Sequence, residues 1–227
     1  MIEIRNLTIN FSKKKALDDL SLSLDKGQIV GLVGPNGSGK TTLLRILAGL
    51  EKNYKGIIQV LGKDIDYTTK NIISYQSDHL ALDDKYKLKD LIKIYEGFFQ
   101  DFDQEKYKKL IKEFSLSLDM KIKNMSKGMK DKVQIALTLS RKTKIYMFDE
   151  PMTGIDPLAR KKLTDTIINN FDGEGLLIIS THLISEIENI MDRVVFIKNG
   201  KLILNEKVDD IREKHKMGVE EYFEEVL

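Results

Sequence analysis

The chain contains no cysteine, which removes both a disulfide framework and a thiol nucleophile and suits a reducing compartment. Long hydrophobic runs are absent too. The longest, such as Val194-Val195-Phe196-Ile197, fall far short of the roughly 20 residues a membrane span needs, so membrane association has to come through a partner. No secretory leader is expected, because Met1 to Arg5 alternates like a strand and no uninterrupted apolar stretch follows it. Charge of one sign is also scarce: 37 basic against 35 acidic residues leave a formal net charge of +2, without the overall basic excess that nucleic-acid binding favours. Arginine is rare beside lysine, 6 against 31, so the surface has few planar forks for reading base edges. No nucleic-acid partner is expected. Internal repeats and low-complexity tails are missing as well.

What remains is the composition of a globular protein, 41% hydrophobic and 32% charged over 227 residues. A chain of this length forms one domain, with room for a small inserted subdomain, and buries roughly two-thirds of its extended surface. Ile2, Ile4, Leu7, Ile9 and Phe11 alternate imperfectly and Leu20, Leu22 and Leu24 more cleanly, predicting an N-terminal β element before the Asp25-Lys26-Gly27 turn. Gln28 to Val33 is apolar almost throughout, the pattern of a strand covered on both faces. It runs into a glycine-rich loop and then a helical face made by Leu43, Leu44, Ile46, Leu47 and Leu50.

Two short strands are predicted at Gly56–Val60 and Asn71–Tyr75, and residues 85–140 change to helical, lysine-dense periodicity, with Leu88, Leu91, Ile92 and Tyr95 on one face. The sheet resumes at Lys144–Phe148 and Leu176–Ser180. It ends in a hairpin, Arg193–Lys198 and Lys201–Leu204 joined by Asn199-Gly200, the composition of a type I′ turn. A short amphipathic helix is expected over 219–227. Strands alternating with helices predict an α/β class with a mostly parallel sheet: a core of residues 1–84 and 141–227, interrupted by a helical subdomain at 85–140.

Residues 34 to 41 match G-x-x-x-x-G-K-[ST] in full. Gly34, Gly37 and Gly39 let successive N–H groups converge on a β-phosphate, and the following helix aims its unpaired donors at the same charge. Lys40 would supply a point charge to the β- and γ-phosphates, and Thr41 a hydroxyl to Mg²⁺. Asn36, Ser38 and Thr42 complete the segment that would contact nucleotide. Asp149 and Glu150 end the buried run Ile145 to Phe148. The first would hold Mg²⁺ through water and the second would polarise the attacking water. His182 follows a strand at the sheet's C-terminal edge, where ligands collect. Position alone leaves it either a γ-phosphate contact or an inert loop histidine.

Taken in order, these elements resemble the ATP-binding subunit of ABC transporters over essentially the whole chain, with the P-loop NTPase fold that implies. Gly34 to Thr42 is similar to the Walker A segment and Ile145 to Glu150 to Walker B. The resemblance implies that Phe11 stacks on adenine, that Gln76 is the Q-loop glutamine contacting Mg²⁺ and sensing a membrane partner, that Gly154-Ile155-Asp156 is the D-loop, and that His182 is the switch histidine. Met125-Ser126-Lys127-Gly128-Met129 falls where the Leu-Ser-Gly-Gly-Gln signature is expected, with Lys127 replacing a glycine and Met129 the glutamine. Ser126 and Gly128 keep the hydroxyl and the bare backbone that, in the family, cover the γ-phosphate held by another subunit.

This Ser-x-Gly-Met variant resembles ATPases of ABC-2 type drug, antibiotic-peptide and lantibiotic exporters of Gram-positive bacteria. What the resemblance implies is an ATPase using ATP and Mg²⁺, a second ATPase subunit forming an ATP-sandwich homodimer, and an integral membrane permease holding both on the cytoplasmic face of the cell membrane. The different-class alternative is a non-transport ATPase of the same superfamily acting on a macromolecular complex. DNA-acting versions would need a long coiled-coil insertion, which the sequence lacks. A GTPase is disfavoured because no Asn-Lys-x-Asp motif is present.

Overall fold

A computed structural model describes residues 1–12, 14–77 and 83–226. Two sheets organise them. In the first, β1 (Ile2–Phe11) pairs antiparallel with β2 (Lys14–Leu24) on one side and β4 (Lys55–Val60) on the other, and the short β5 (Lys63–Asp64) extends the edge beyond β4. The second has six strands. β3 (Gln28–Val33), β6 (Ile73–Gln76), β7 (Ile145–Asp149), β8 (Leu176–Thr181), β9 (Arg193–Lys198) and β10 (Lys201–Lys207) lie in the order β10-β9-β3-β8-β7-β6. All neighbours from β9 to β6 are parallel, and β10 is an antiparallel edge.

The near-continuous apolar strands have a direct physical reading, because the six-stranded sheet separates two hydrophobic clusters and feeds alternate side chains to each. Tyr146 and Phe148 of β7 and Leu177 and Ile179 of β8 enter one cluster. Ile145 and Met147, with Leu176 and Ile178, enter the other. Full burial of such a side chain stabilises by about 1.5–3 kcal/mol, so polar substitution on either face would be costly. The first cluster is roofed by α4 (Lys127–Leu139) and α5 (Pro157–Asn169), the second by α1 (Lys40–Leu47) and the antiparallel sheet.

Between β6 and β7 the described elements are helical: α2 (Leu88–Phe98), α3 (Gln104–Glu113), a single 3₁₀ turn at Ile122–Asn124, and α4. Arg141, just past α4, is 4% exposed and makes a two-pronged pair with Asp101, at 2.8 and 3.0 Å. It also donates to the carbonyls of Lys70 and Ile73 and lies 3.8 Å from the centroid of the Phe99 ring. One guanidinium thus fastens the helical segment to the sheet.

The Asn199-Gly200 turn has positive φ at both residues, 52° and 77°, as a type I′ hairpin requires. Elsewhere the sequence reading needs adjustment. The strand predicted from Asn71 begins at Ile73, since Tyr67–Asn71 forms a 3₁₀ helix capped by Asp66, whose carboxylate accepts from the Thr68 N–H at 2.7 Å. Two helices close the described chain, α6 (Val208–His215) and α7 (Val219–Val226); the first was not anticipated. No helix among the described residues is long and apolar enough to cross a membrane.

Candidate active site

The glycine-rich loop leaves β3 and enters α1 at Lys40. Its shape is imposed by close neighbours. A Cβ on Gly39, at φ 116°, would lie 2.6 Å from the Ala16 carbonyl oxygen, and one on Gly34 would collide with the Ile197 carbonyl oxygen at 2.1 Å, so both positions demand glycine. The hairpin turn braces the loop from the other side: the Gly200 N–H donates to the Ser38 carbonyl at 2.8 Å, while the Gly200 carbonyl accepts from the Asp18 N–H at 2.9 Å.

Lys40 is 5% exposed and its ammonium donates to the carbonyls of Gly34, at 2.6 Å, and Pro35, at 3.4 Å. It also lies 3.5 Å from Glu150 Oε1. Burial pushes the amine below the ordinary lysine range, and the Glu150 and Asp149 carboxylates oppose that shift. Thr41 and Thr42 follow in the first turn of α1, half-buried.

Asp149 ends β7 fully buried. Its carboxylate accepts from the Ser180 hydroxyl, which β8 supplies in direct register, and from the Tyr75 hydroxyl at 3.2 Å. The chain then turns sharply. Glu150 takes φ 48°, a left-handed backbone costing a non-glycine residue about 1–2 kcal/mol, and its N–H donates to the Ser180 carbonyl at 3.0 Å. Glu150 Oε2 meets His182 Nδ1 at 2.8 Å and accepts from the Thr153 hydroxyl at 3.1 Å. The acid at the strand end is therefore oriented by three elements at once.

Asn36, Gln76, Asp149, Glu150 and His182 line one cleft of about 250 Å³, with Lys127, Asp131 and Thr153 completing its wall. The Ser38 hydroxyl and the Gln76 Oε1 are buried without a hydrogen-bond partner among the described residues, and Glu150 Oε1 meets Lys40 at 3.5 Å without a hydrogen bond. Buried polar atoms left unpaired cost about 1–3 kcal/mol each, so the cleft is built for a polar occupant. The Thr41 hydroxyl, the Gln76 carbonyl and the Asp149 carboxylate are hard oxygen donors, the set that suits Mg²⁺. Asp149 already accepts from two hydroxyls, which favours contact with the ion through water. Burial raises the Asp131 carboxyl above the usual range, against the pull of Lys127.

Other residues singled out in the sequence stand outside this cleft. Phe11, 47% exposed, ends β1 directly across from Lys14. Ser126 is the exposed cap of α4, its hydroxyl accepting from the Met129 N–H at 3.3 Å, and Gly128 lies in the first turn. Asp156 caps α5 by accepting from the Ala159 N–H at 3.0 Å. The sequence reading missed Tyr75, Thr153, Asp131 and Ser180. Aligning the C-terminal ends of the predicted parallel strands sets Ser180 against Phe148, one residue short of its observed partner Asp149.

Known proteins resemble this chain along most of its length. The sequence model of the ABC transporter family matches residues 17–153. The ABC transporter ATP-binding protein MJ1023 of Methanocaldococcus jannaschii is 35% identical over 219 residues, covering 94% of this chain and 80% of that protein. The lantibiotic transport ATP-binding protein SrtF of Streptococcus pyogenes is 31% identical over 211 residues, covering 92% of each. A solved ATP binding subunit of an ABC transporter superposes with a TM-score of 0.87 at 26% identity, over 100% of this chain and 99% of that one.

Proposed function

Because this chain belongs to the ABC transporter family of ATP-binding proteins, we propose that it hydrolyses MgATP at a site completed by a second copy and thereby drives an exporting membrane permease. The observation that carries the catalytic reading is the contact of Glu150 with both His182, at 2.8 Å, and Lys40, at 3.5 Å. Lys40 is held by carbonyls it can exchange for phosphate oxygens. Glu150, aimed by His182 and Thr153, orients and polarises the attacking water, so no covalent phosphoenzyme is needed. Mg²⁺, held by Thr41, Gln76 and, through water, Asp149, would neutralise charge on the phosphates. Phe11 would stack on the base, while Asn36, Ser38 and Thr42 hold the phosphates and Asp156 stands on the D-loop.

The second half of the site is assigned to Ser126 and Gly128 of the mate. Their support is exposure: a Cβ on Gly128 would meet nothing within 4 Å, so the chain's own fold does not require glycine there and an approaching surface would. The Ser-x-Gly-Met form and the similarity to a lantibiotic transport protein support export. For the permease, a hollow of about 320 Å³ lined by Leu50, Ile73, Tyr75, Tyr95 and Phe99 lies between the core, 1–84 and 141–227, and the helical subdomain we assign to 85–140. It offers a partly apolar seat near Gln76, with Lys70 and Arg141 also in its wall. Leu80 and Leu82, nearby in sequence, lie outside the described residues. The chain would then sit on the cytoplasmic face of the membrane.

Exchange of Glu150 for Gln is expected to preserve ATP binding, lower turnover by about 10²–10³-fold and accumulate an ATP-bound dimer in size-exclusion chromatography. Normal hydrolysis by that variant would remove Glu150 from its role. Copurification of a polytopic membrane protein would support transport, whereas ribosomes or DNA would favour the non-transport alternative.

A further inference from the structure

The β1–β2 hairpin carries a cation that the nucleotide reading leaves without a task. Lys14 is exposed and has no carboxylate partner among the described residues, whereas Lys15 lies 2.8 Å from Asp18 and Lys201 3.6 Å from the same acid. Lys14 is paired across the hairpin with Phe11, and directly opposed residues in an antiparallel pair project from the same face. Its ammonium reaches the phosphate loop: a Cβ on Gly37 would lie 3.7 Å from Lys14 Nζ. The strand that presents it is fixed there. The Ala16 carbonyl abuts Gly39 and Gly200, and the Asp18 N–H donates to the Gly200 carbonyl.

An ammonium paired with no acid among the described residues, set between the aromatic assigned to the base and the middle of the loop assigned to the phosphates, has one natural counter-charge. We infer that Lys14 is a second phosphate-binding cation of this site, serving the phosphate nearest the ribose. This rests on the nucleotide site assigned above. The division of labour follows from position: Lys40 enters from the helix side beside Glu150, where the terminal phosphate would sit, while Lys14 enters from the hairpin side beside Phe11. A lysine here acts as a point charge, and its contact is shared by ATP and ADP because both carry that phosphate.

The test is calorimetric titration of wild type, Lys14→Met, Lys14→Arg and Lys15→Met with Mg²⁺ and either ADP or a non-hydrolysable ATP analogue. Lys14→Met should weaken both ligands by the same factor, about five- to tenfold for an exposed charge-assisted contact. Arginine should recover most of the loss, and Lys15→Met should change neither affinity. Unchanged affinities in Lys14→Met would overturn the inference. So would loss confined to the ATP analogue, which would place Lys14 on the terminal phosphate, or an equal loss in Lys15→Met, which would reduce the effect to a general field. Wild-type protein that bound neither nucleotide would instead bring down the functional reading itself.

Discussion

At the scale of the residue, Lys40 shows how a site can be poised at the expense of the fold. Its folded pKa is depressed by burial, so folding penalises the charged form, and stability rises with pH wherever the unfolded chain binds more protons. That penalty is fully present below the folded pKa and is relieved as pH rises from there towards the unfolded lysine value. Lys40→Met should therefore weaken nucleotide binding by about a hundredfold or more while leaving the melting temperature at neutral pH unchanged or slightly raised. A clear fall in melting temperature would mean that the hydrogen bonds to Gly34 and Pro35 outweigh the desolvation. The residues legible in the sequence are those whose chemistry is local: the loop from Gly34 to Thr42 and the Asp149-Glu150 pair announce themselves in contiguous stretches. Tyr75 and Ser180, which orient Asp149, come from two other strands, and pattern along the chain does not reveal who shares a strand end.

At the scale of the element, β3, β7, β8 and β9 were legible because each is covered on both sides and therefore written in nearly continuous apolar residues. Ends were less so. The 3₁₀ helix at Tyr67–Asn71 occupies part of a predicted strand because Asp66 and Thr69 satisfy each other's backbone groups, a local hydrogen-bond competition that hydrophobic periodicity does not register. The attachment of the helical segment was invisible for a different reason, since it depends on one arginine meeting an aspartate 40 residues away. Arg141→Lys keeps the charge and loses the paired prongs and the Phe99 stack. We expect it to cost about 2–4 kcal/mol of stability, read as a lower urea midpoint with an unchanged slope; a shift below about 0.5 kcal/mol would show that Arg141 behaves like an ordinary surface ion pair.

At the scale of the whole molecule, the shared-site reading makes a prediction that one chain cannot satisfy. Gly128→Ala should fold normally, because the added methyl meets open space and alanine is the better helix former by about 1 kcal/mol, yet it should be nearly inactive if a mate's phosphates must approach that backbone. Glu150→Gln should be inactive for a separate reason. Mixed together, the two should regain activity, since a hybrid pair holds one site with neither defect; random exchange in a two-fold dimer predicts recovery of about a quarter of the wild-type rate. A mixture as inert as its components would count against the sandwich.

The grip of the hairpin turn on the glycine-rich loop also sets an order of events during synthesis. Ser38 receives its backbone partner from Gly200, and Gly34 is wedged against Ile197. These partners leave the ribosome some 160 residues after the loop itself. A nascent chain that has already exposed every letter of the phosphate motif thus lacks the scaffold that gives the motif its curvature, and competence to hold a nucleotide arrives late, with the last strands of the sheet.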